Sequence, residues 1–527
     1  MTTPEPDVAE RLARAQASGQ WGEVIDLIEH NWSALMAADL DGLRSALGAL
    51  PPEVVAEHPR LAAARSYVDY IPTGDAVRPV QFREVAQAGH PEALLDVLAR
   101  LTSRSGARRS AGQFAKASES VDEAREALAD STEDGLLQLR PALPDLHFHW
   151  GKAREFAGNG PAAFQEYRDA FDLAVVTGNV LVAANAAGSL AWLSAFSGYR
   201  DEAERWLERM PGAGAPLTSD SWRGTRHATT AQFARVLLLI DDLDYDAAAS
   251  ALHTDVDMSL SPEYWAAALY LEGRLISDEW IARQHLSVIS TAVEGHAPEL
   301  STSGLNLQLL ALARADANLA VHHVERARQV LRDGAEAVGR PSQSTLVARA
   351  RVELVGADYA AASRFAESVI AFDDARLPSL AAALLIEAVV SARVGRTEQA
   401  VEQFGRVLTQ VLDTSSASLL TTVSRDDLLL LAEIAGLEPG SAADETVRRV
   451  LEHGIFLPPT VPIGPLSPRE RSVLAQLPSG ASIADIAVTL RVSHNTVKTQ
   501  LRSVYRKLGV ASREDAEAAA ARYGLLG

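Results

Sequence analysis

From Asp7 to about His453, apolar residues recur three and four positions apart, as at Val24, Leu27, Ile28 and Leu35, or at Val401, Phe404, Val407, Leu408 and Val411. That spacing lines one face of an α-helix. Short Gly, Asp or Pro punctuation separates the segments, and no sustained alternation of period two suggests a sheet, so the region is expected to be all-α. A second pattern lies over the first: a small residue at a turn, then alanine five positions later inside the next helix. It occurs at Gly112/Ala117, Gly158/Ala163, Gly198/Ala203, Ser277/Ala282, Ala315/Ala320 and Gly395/Ala400, with looser copies at Leu243/Ala248 and Ala357/Ala362. The turns fall 34 to 46 residues apart. Such a period predicts stacked helix-turn-helix repeats over residues 1–453, forming a solenoid with a long concave surface for a peptide, a protein or a small molecule.

The helical pattern breaks at Gly454–Pro465, where Pro458, Pro459, Pro462 and Pro465 block helix and predict an extended spacer over 454–465. Four short helices are then expected over 466–527. Ser467-Pro-Arg-Glu470 combines an N-cap serine, a proline at the first helical position and a glutamate three residues on. Ser482 opens a second helix running to about Leu490, Ser493 caps a third from His494 to Leu508, and Ser512 caps a fourth. Val473, Leu474, Leu477, Ile486, Ala487, Leu490, Val492, Val497, Leu501, Val504 and Leu508 are the expected core. The third helix holds no acid and is expected to expose Lys498, Arg502, Arg506 and Lys507. A short helix, a tight turn and a basic helix make a helix-turn-helix, whose second element lies in the DNA major groove.

Charge sharpens this division. The 527 residues contain 69 acidic and 49 basic side chains, a formal charge of −20. Residues 464–527 hold nine Arg/Lys and five Asp/Glu, so 40 basic and 64 acidic residues lie upstream: +4 on the terminus against −24 on the body. A basic module on an acidic body points to a nucleic-acid contact. It also predicts that acidic helices dock onto the Lys498/Arg502/Arg506 face and compete with DNA phosphates. Cysteine is absent, which removes disulfides, Cys-bearing zinc sites and thiol nucleophiles. Hydrophobic residues make up 47% but aromatics only 6%, which suits close-packed, alanine-rich helices. The longest apolar runs, such as Ala381–Ile386, are far too short to span a membrane, and Met1–Glu10 is polar, so a cytoplasmic protein is expected.

Three motifs in the body imitate chemistry. Gly158-Asn-Gly160-Pro-Ala-Ala163 matches a dinucleotide fingerprint, but the segment before it is helix-like where a strand is required, so it is read as a repeat turn. Asp242-Leu-Asp244-Tyr-Asp246 starts like a calcium loop, yet Ala247 and His253 stand where glycine and a bidentate glutamate belong. The pairs His147/His149 and His322/His323 lack identifiable further ligands. With no catalytic motif, cofactor motif or metal set, no enzyme is expected.

The C-terminal residues carry a resemblance. Leu466-Ser-Pro-Arg-Glu470, Val473-Leu474, Gly480, Ile486-Ala487, Leu490, Val492-Ser493, Thr496-Val497-Lys498 and Tyr505-Arg-Lys-Leu-Gly-Val510, followed by Ser512-Arg513 and Ala516, closely resemble the LuxR-type helix-turn-helix. The resemblance implies sequence-specific binding to double-stranded DNA by a four-helix domain, as a homodimer with the last helix near the two-fold. It implies base contacts from Lys498, Thr499 and Arg502, and phosphate anchoring by Ser493, Asn495 and Thr496. Three departures stand out: Gln500 where histidine is common, Ile483-Ala484 in place of a polar pair, and Pro478 near the end of the first helix. In the body, Gly112-Gln-Phe-Ala-Lys-Ala117 and Gly198-Tyr-Arg-Asp-Glu-Ala203 resemble the turn and second helix of tetratricopeptide repeats. Repeats before such a terminus are similar to the large ATP-dependent LuxR regulators, whose nucleotide-binding domain has no counterpart in this sequence.

The expectation is therefore a bacterial transcription regulator: a repeat body that senses an unknown ligand or protein, a hinge, and a DNA-binding module able to contact RNA polymerase. The alternative is a helical-repeat scaffold for protein assembly. Lys498 and Arg502, four apart on one helical face, are expected to read bases, and Lys507 to hold phosphate regardless of sequence.

Overall fold

The computed structural model describes residues 8–70, 94–131, 139–210, 229–256, 258, 261–338, 341–372, 377–459, 466–508, 510–522 and 525. Among them the protein is helical throughout; the only β feature is an isolated parallel bridge between Ser424 and Leu457. Helices pack as neighbouring pairs, including Leu94–Ser110 with Phe114–Ala129, Leu143–Phe156 with Gly160–Thr177, and Leu377–Arg393 with Thr397–Thr414. Each apolar stripe faces its partner. In Thr397–Thr414 the buried residues are Ala400, Phe404, Val407, Leu408 and Val411, on the face that the spacing predicts.

The turns share one construction. Within pairs the helices are joined by three residues, and the middle one has left-handed backbone: Gly19, Gly112, Gly158, Gly198, Leu243, His322, Ala357 and Gly395, with φ between 57° and 82°. The residue after it often caps the next helix with its side chain, as Asn159, Asp244 and Asp358 do. This saves an otherwise unpaired N–H of the first turn. Five positions beyond the left-handed residue, Val24, Ala117, Ala163, Ala203, Ala248, Ala327, Ala362 and Ala400 are all 0% exposed. A small side chain there lets the two helices of a pair approach closely.

Two differences from the sequence pattern follow. The pair Ala315/Ala320 is not a turn: both lie within Gly304–Ala320, and the turn is at His322, with Ala327 as its alanine. Alanine-rich helices offer false matches, and here the left-handed residue is not small. An additional turn at Gly19 escaped because its inward residue is Val24. The fingerprint at Gly158–Ala163 is a repeat turn, and Asp242–Asp246 is another.

The helical pairs coil so tightly that distant turns touch. The hydroxyl of Ser303 donates to the Gly112 carbonyl at 3.2 Å, across 191 residues. Ser418 donates to Asp241 at 2.6 Å, across 177. Gly198 abuts the Pro378 ring. These contacts turn part of the expected concave surface into pockets that stay partly open to solvent. One of about 380 Å³ is walled by Trp32, Leu61, Leu95 and Leu146, with Asp145 and Asn179 among its polar groups.

The start of the proline-rich spacer belongs to this packing. Ile455 N–H donates to the Tyr245 hydroxyl at 3.3 Å, and Leu457 is buried beside Ser424. Residues 460–465 lie outside the described residues. One buried apolar cluster takes in Ala311, Leu319, Ala327 and Leu331 of the body together with Leu457, Leu466, Val473 and Leu474. Among the described residues, no helix is long and apolar enough to cross a membrane.

Candidate nucleic-acid interface

The C-terminal helices are Pro468–Leu474, Ile483–Thr489, His494–Leu508 and Arg513–Arg522. Their starts are local chemistry. Ser467 and Glu470 form a reciprocal capping box, as do Ser482 and Asp485. Ser493 Oγ accepts from Thr496 N–H at 3.0 Å, and Ser512 Oγ from Asp515 N–H at 3.0 Å. The first helix ends at Leu474, and Pro478 sits in a separate short 3₁₀ turn, Leu477–Ser479, before Gly480. The turn between the second and third helices passes through Arg491 in left-handed backbone.

Val497, Leu501, Val504 and Leu508 of the third helix are buried against Val473, Leu474, Leu477 and Ile486. Of the expected core residues, Val492 is instead 39% exposed. At 100° per residue, Asn495, Lys498, Thr499, Arg502 and Arg506 fall within about a third of the helix circumference, opposite that seam. All five are exposed, as is Ser493 at the entrance, while Thr496 is half-buried. Thr499 Oγ1 donates to the Asn495 carbonyl at 2.9 Å, which fixes its rotamer on this face. The result is an open cationic ridge on a rigid apolar base.

Lys507 departs from expectation. It sits about 180° from Lys498 around the helix, and its Nζ donates to Glu470 Oε2 at 2.7 Å. The Glu470 side chain, 6% exposed, also accepts from Ser503 Oγ at 2.7 Å and Ser467 N–H at 2.6 Å. Burial alone would raise its pKa, but the bonds from Lys507, Ser503 and Ser467 outweigh it and bring the carboxyl down from 4.5 to about 2. Sequence spacing cannot show this, because the partner lies 37 residues away. The sign follows: stabilisation by Glu470 is complete above its unfolded value near 4.5 and is lost as pH falls towards about 2. Lys507→Ala is therefore expected to weaken the module's packing, raising amide exchange across 466–522 by an amount equivalent to about 1–3 kcal/mol. Glu470→Gln should flatten the acid dependence of that exchange between pH 4.5 and about 2. Unchanged exchange in Lys507→Ala would return Lys507 to the surface.

The acidic body does contact the module, but on another face. Arg471 pairs with Glu325 of the body, and Glu325 also pairs with Arg328, which in turn reaches Glu353. Docking thus uses the first helix and leaves Lys498, Arg502 and Arg506 exposed, in contrast to the expected masking of that ridge.

The histidines singled out in the body lie among charged side chains. His147 Nδ1 lies 2.7 Å from Glu166 Oε2 and 4.0 Å from Asp169 Oδ2, so two acidic neighbours exist that the sequence did not reveal. Arg125 already engages both carboxylates, at 3.2 and 3.6 Å. His149 is half-buried near Arg109 and Lys152; desolvation first, then those two charges, lower its pKa to about 3. His322 occupies a repeat turn, 3.5 Å from Glu279.

Comparison with known proteins places the C-terminus. Residues 464–520 match the family described as "Bacterial regulatory proteins, luxR family". The chain is similar to a protein of Streptomyces halstedii named "Probable HTH-type transcriptional regulator GfsR", with 47% identity over 51 residues, 10% of this chain and 21% of that protein. The chain thus spans about a fifth of the length of that relative. The four C-terminal helices, with their capped starts and exposed basic third helix, are a helix-turn-helix of the luxR family.

Proposed function

We propose that the protein is a sequence-specific DNA-binding transcription regulator. His494–Leu508 enters the major groove, Lys498, Thr499 and Arg502 read base edges, and Ser493, Asn495, Thr496 and Arg506 hold phosphates. The observation that carries this reading is the exposed ridge of Asn495, Lys498, Thr499, Arg502 and Arg506 on a helix whose opposite face is locked into a core. Dipoles and cations at that surface attract a polyanion, while the buried seam holds the side chains in register with the groove. The body, a tetratricopeptide-like solenoid over 1–453, senses a ligand or partner through its internal cavities. The module acts as a dimer on DNA and contacts RNA polymerase.

A salt titration on mixed duplex DNA tests it, comparing the whole chain with one lacking 464–527. The whole chain should lose affinity steeply with salt, by a log–log slope of about −0.9 per phosphate contacted. The truncated chain, at a net −24, should not bind. Equal binding by the two would locate any DNA contact in the body and remove the basis of the proposal.

A further inference from the structure

Five stretches of the body converge on the cleft of about 380 Å³: the helices Trp21–Ala38, Pro59–Tyr70, Leu94–Ser110 and Leu143–Phe156, and the turn at residues 177–179. Its volume lies in the range of about 300–1,000 Å³ that small-molecule sites occupy. Two features of the sequence make the room. Ala63, Ala64, Ala99, Gly106 and Ala142 carry at most a methyl group where they border the cleft. The helix Trp21–Ala38 leaves helical backbone at Asn31, with φ −127° and ψ 20°, on the same wall. Asn31 Nδ2 donates to the Leu27 carbonyl at 3.0 Å, a side chain inserted into the helical ladder, which is an ordinary cause of a kink.

The walls are apolar wherever they are not already paired. Ile28, Trp32, Leu61, Leu95 and Leu146 supply the large surfaces. The polar groups between them are engaged by the protein itself. Thr102 Oγ1 accepts from the Trp150 indole N–H at 2.8 Å, and Asn179 donates to Asp145 at 3.0 Å. Arg60 donates to Glu29 at 2.6 Å, and Arg109 to Glu263 at 3.0 Å. Among the described lining residues the charges balance, Glu29 and Asp145 against Arg60 and Arg109, while His149, with its pKa at about 3, is uncharged at neutral pH. Water against such walls finds few partners, and its displacement by an apolar group is favourable. An ionic ligand would instead lose its hydration for pairs that are already made. The turn at 177–179 is flanked by Val175, Val176 and Val180, each more than half exposed, so apolar side chains stand beside the cleft as well as in it.

We propose that this cleft binds an uncharged, largely apolar small molecule. The site deepens the reading of the body as a sensor and rests on that reading only for what the ligand controls. It gives the sensor a ligand class and a place among the first helices of the chain.

The test uses the full chain without DNA, so its failure leaves the DNA-binding proposal standing. The probe is Nile red, an uncharged dye whose emission brightens and shifts to the blue in apolar surroundings. It should bind saturably, and amide exchange with and without dye should show its strongest protection in peptides covering residues 28–32, 99–106 and 177–179. Ala99→Phe and Ala142→Phe each place a ring in the cleft from a different wall. Each should weaken dye binding by at least about tenfold, because the ring takes volume that the dye needs. Ala49→Phe, at an exposed position outside the cleft, should bind as the wild type does. Anilinonaphthalene sulfonate, an apolar body with a negative charge, should fail to displace Nile red. Absence of dye binding, protection confined to other peptides, or undiminished binding by either cleft variant that keeps its thermal midpoint overturns the proposal. Displacement of Nile red by the sulfonate overturns the uncharged class.

Discussion

Arg502→Ala is expected to flatten preference at one base position of the bound sequence, with a loss of about 1–3 kcal/mol against the best base there. Arg502 and Lys498 stand one helical turn apart on the exposed ridge, so both reach the groove floor when the helix axis lies along it. Arginine presents two parallel N–H groups that match the O6 and N7 acceptors of guanine, whereas lysine delivers a single point charge. The arginine change should therefore alter the shape of the sequence logo more than Lys498→Ala does. Arg506→Ala should reduce affinity for all sequences alike and lower the salt slope by about 0.9. Selection of bound fragments from a random library, followed by competition titration, measures both. An Arg502→Ala logo identical to the wild type would mean that the helix enters the groove with a different face.

Gly304→Ala should produce a severe loss of stability in the body. Gly304 has φ of +61°, and an added Cβ would lie 2.1 Å from the backbone oxygen of Phe156 and 2.8 Å from the Phe114 ring. A left-handed alanine costs about 1–2 kcal/mol by itself. The backbone clash cannot be relieved by turning a side chain, because Phe156 is buried beside Phe114 with rings 5.8 Å apart. Together these should exceed about 4 kcal/mol, the range of severe substitutions. Gly158→Ala is the control: its φ is +82°, but nothing lies within 4 Å of the added carbon, so only the backbone cost applies. A large fall in thermal midpoint for Gly304→Ala beside a small one for Gly158→Ala is the expected outcome. Equal falls would mean that the contact between distant turns carries no weight.

What could be read in the sequence was local, and what escaped was not. Ser467, Ser482, Ser493 and Ser512 announce their helices because a cap bonds to N–H groups two or three residues on. The small-residue turns at Gly112, Gly158, Gly198 and Gly395 were legible for the same reason, and the looser matches at Leu243 and Ala357 proved to share their left-handed backbone. The turn at His322 was misplaced because nothing in a histidine signals that conformation. The pairing of Lys507 with Glu470 escaped because it is set by the angle between two helices rather than by spacing. The contacts of Gly112 with Ser303 and Gly198 with Pro378 depend on how many pairs complete one coil. No window of sequence contains that quantity.

Only seven residues separate Pro458, where the packed part of the spacer ends, from Leu466, which is already buried with the module. Even drawn straight, seven residues reach at most about 25 Å, roughly the radius of gyration of a compact body of this size. A module seated on DNA therefore cannot leave its body at a distance. In the proposed DNA-bound arrangement the body stays within that reach of the module, about seven base pairs at ~3.4 Å each, as a bulky, negatively charged neighbour. A second protein approaching DNA within that distance would meet a surface of net negative charge.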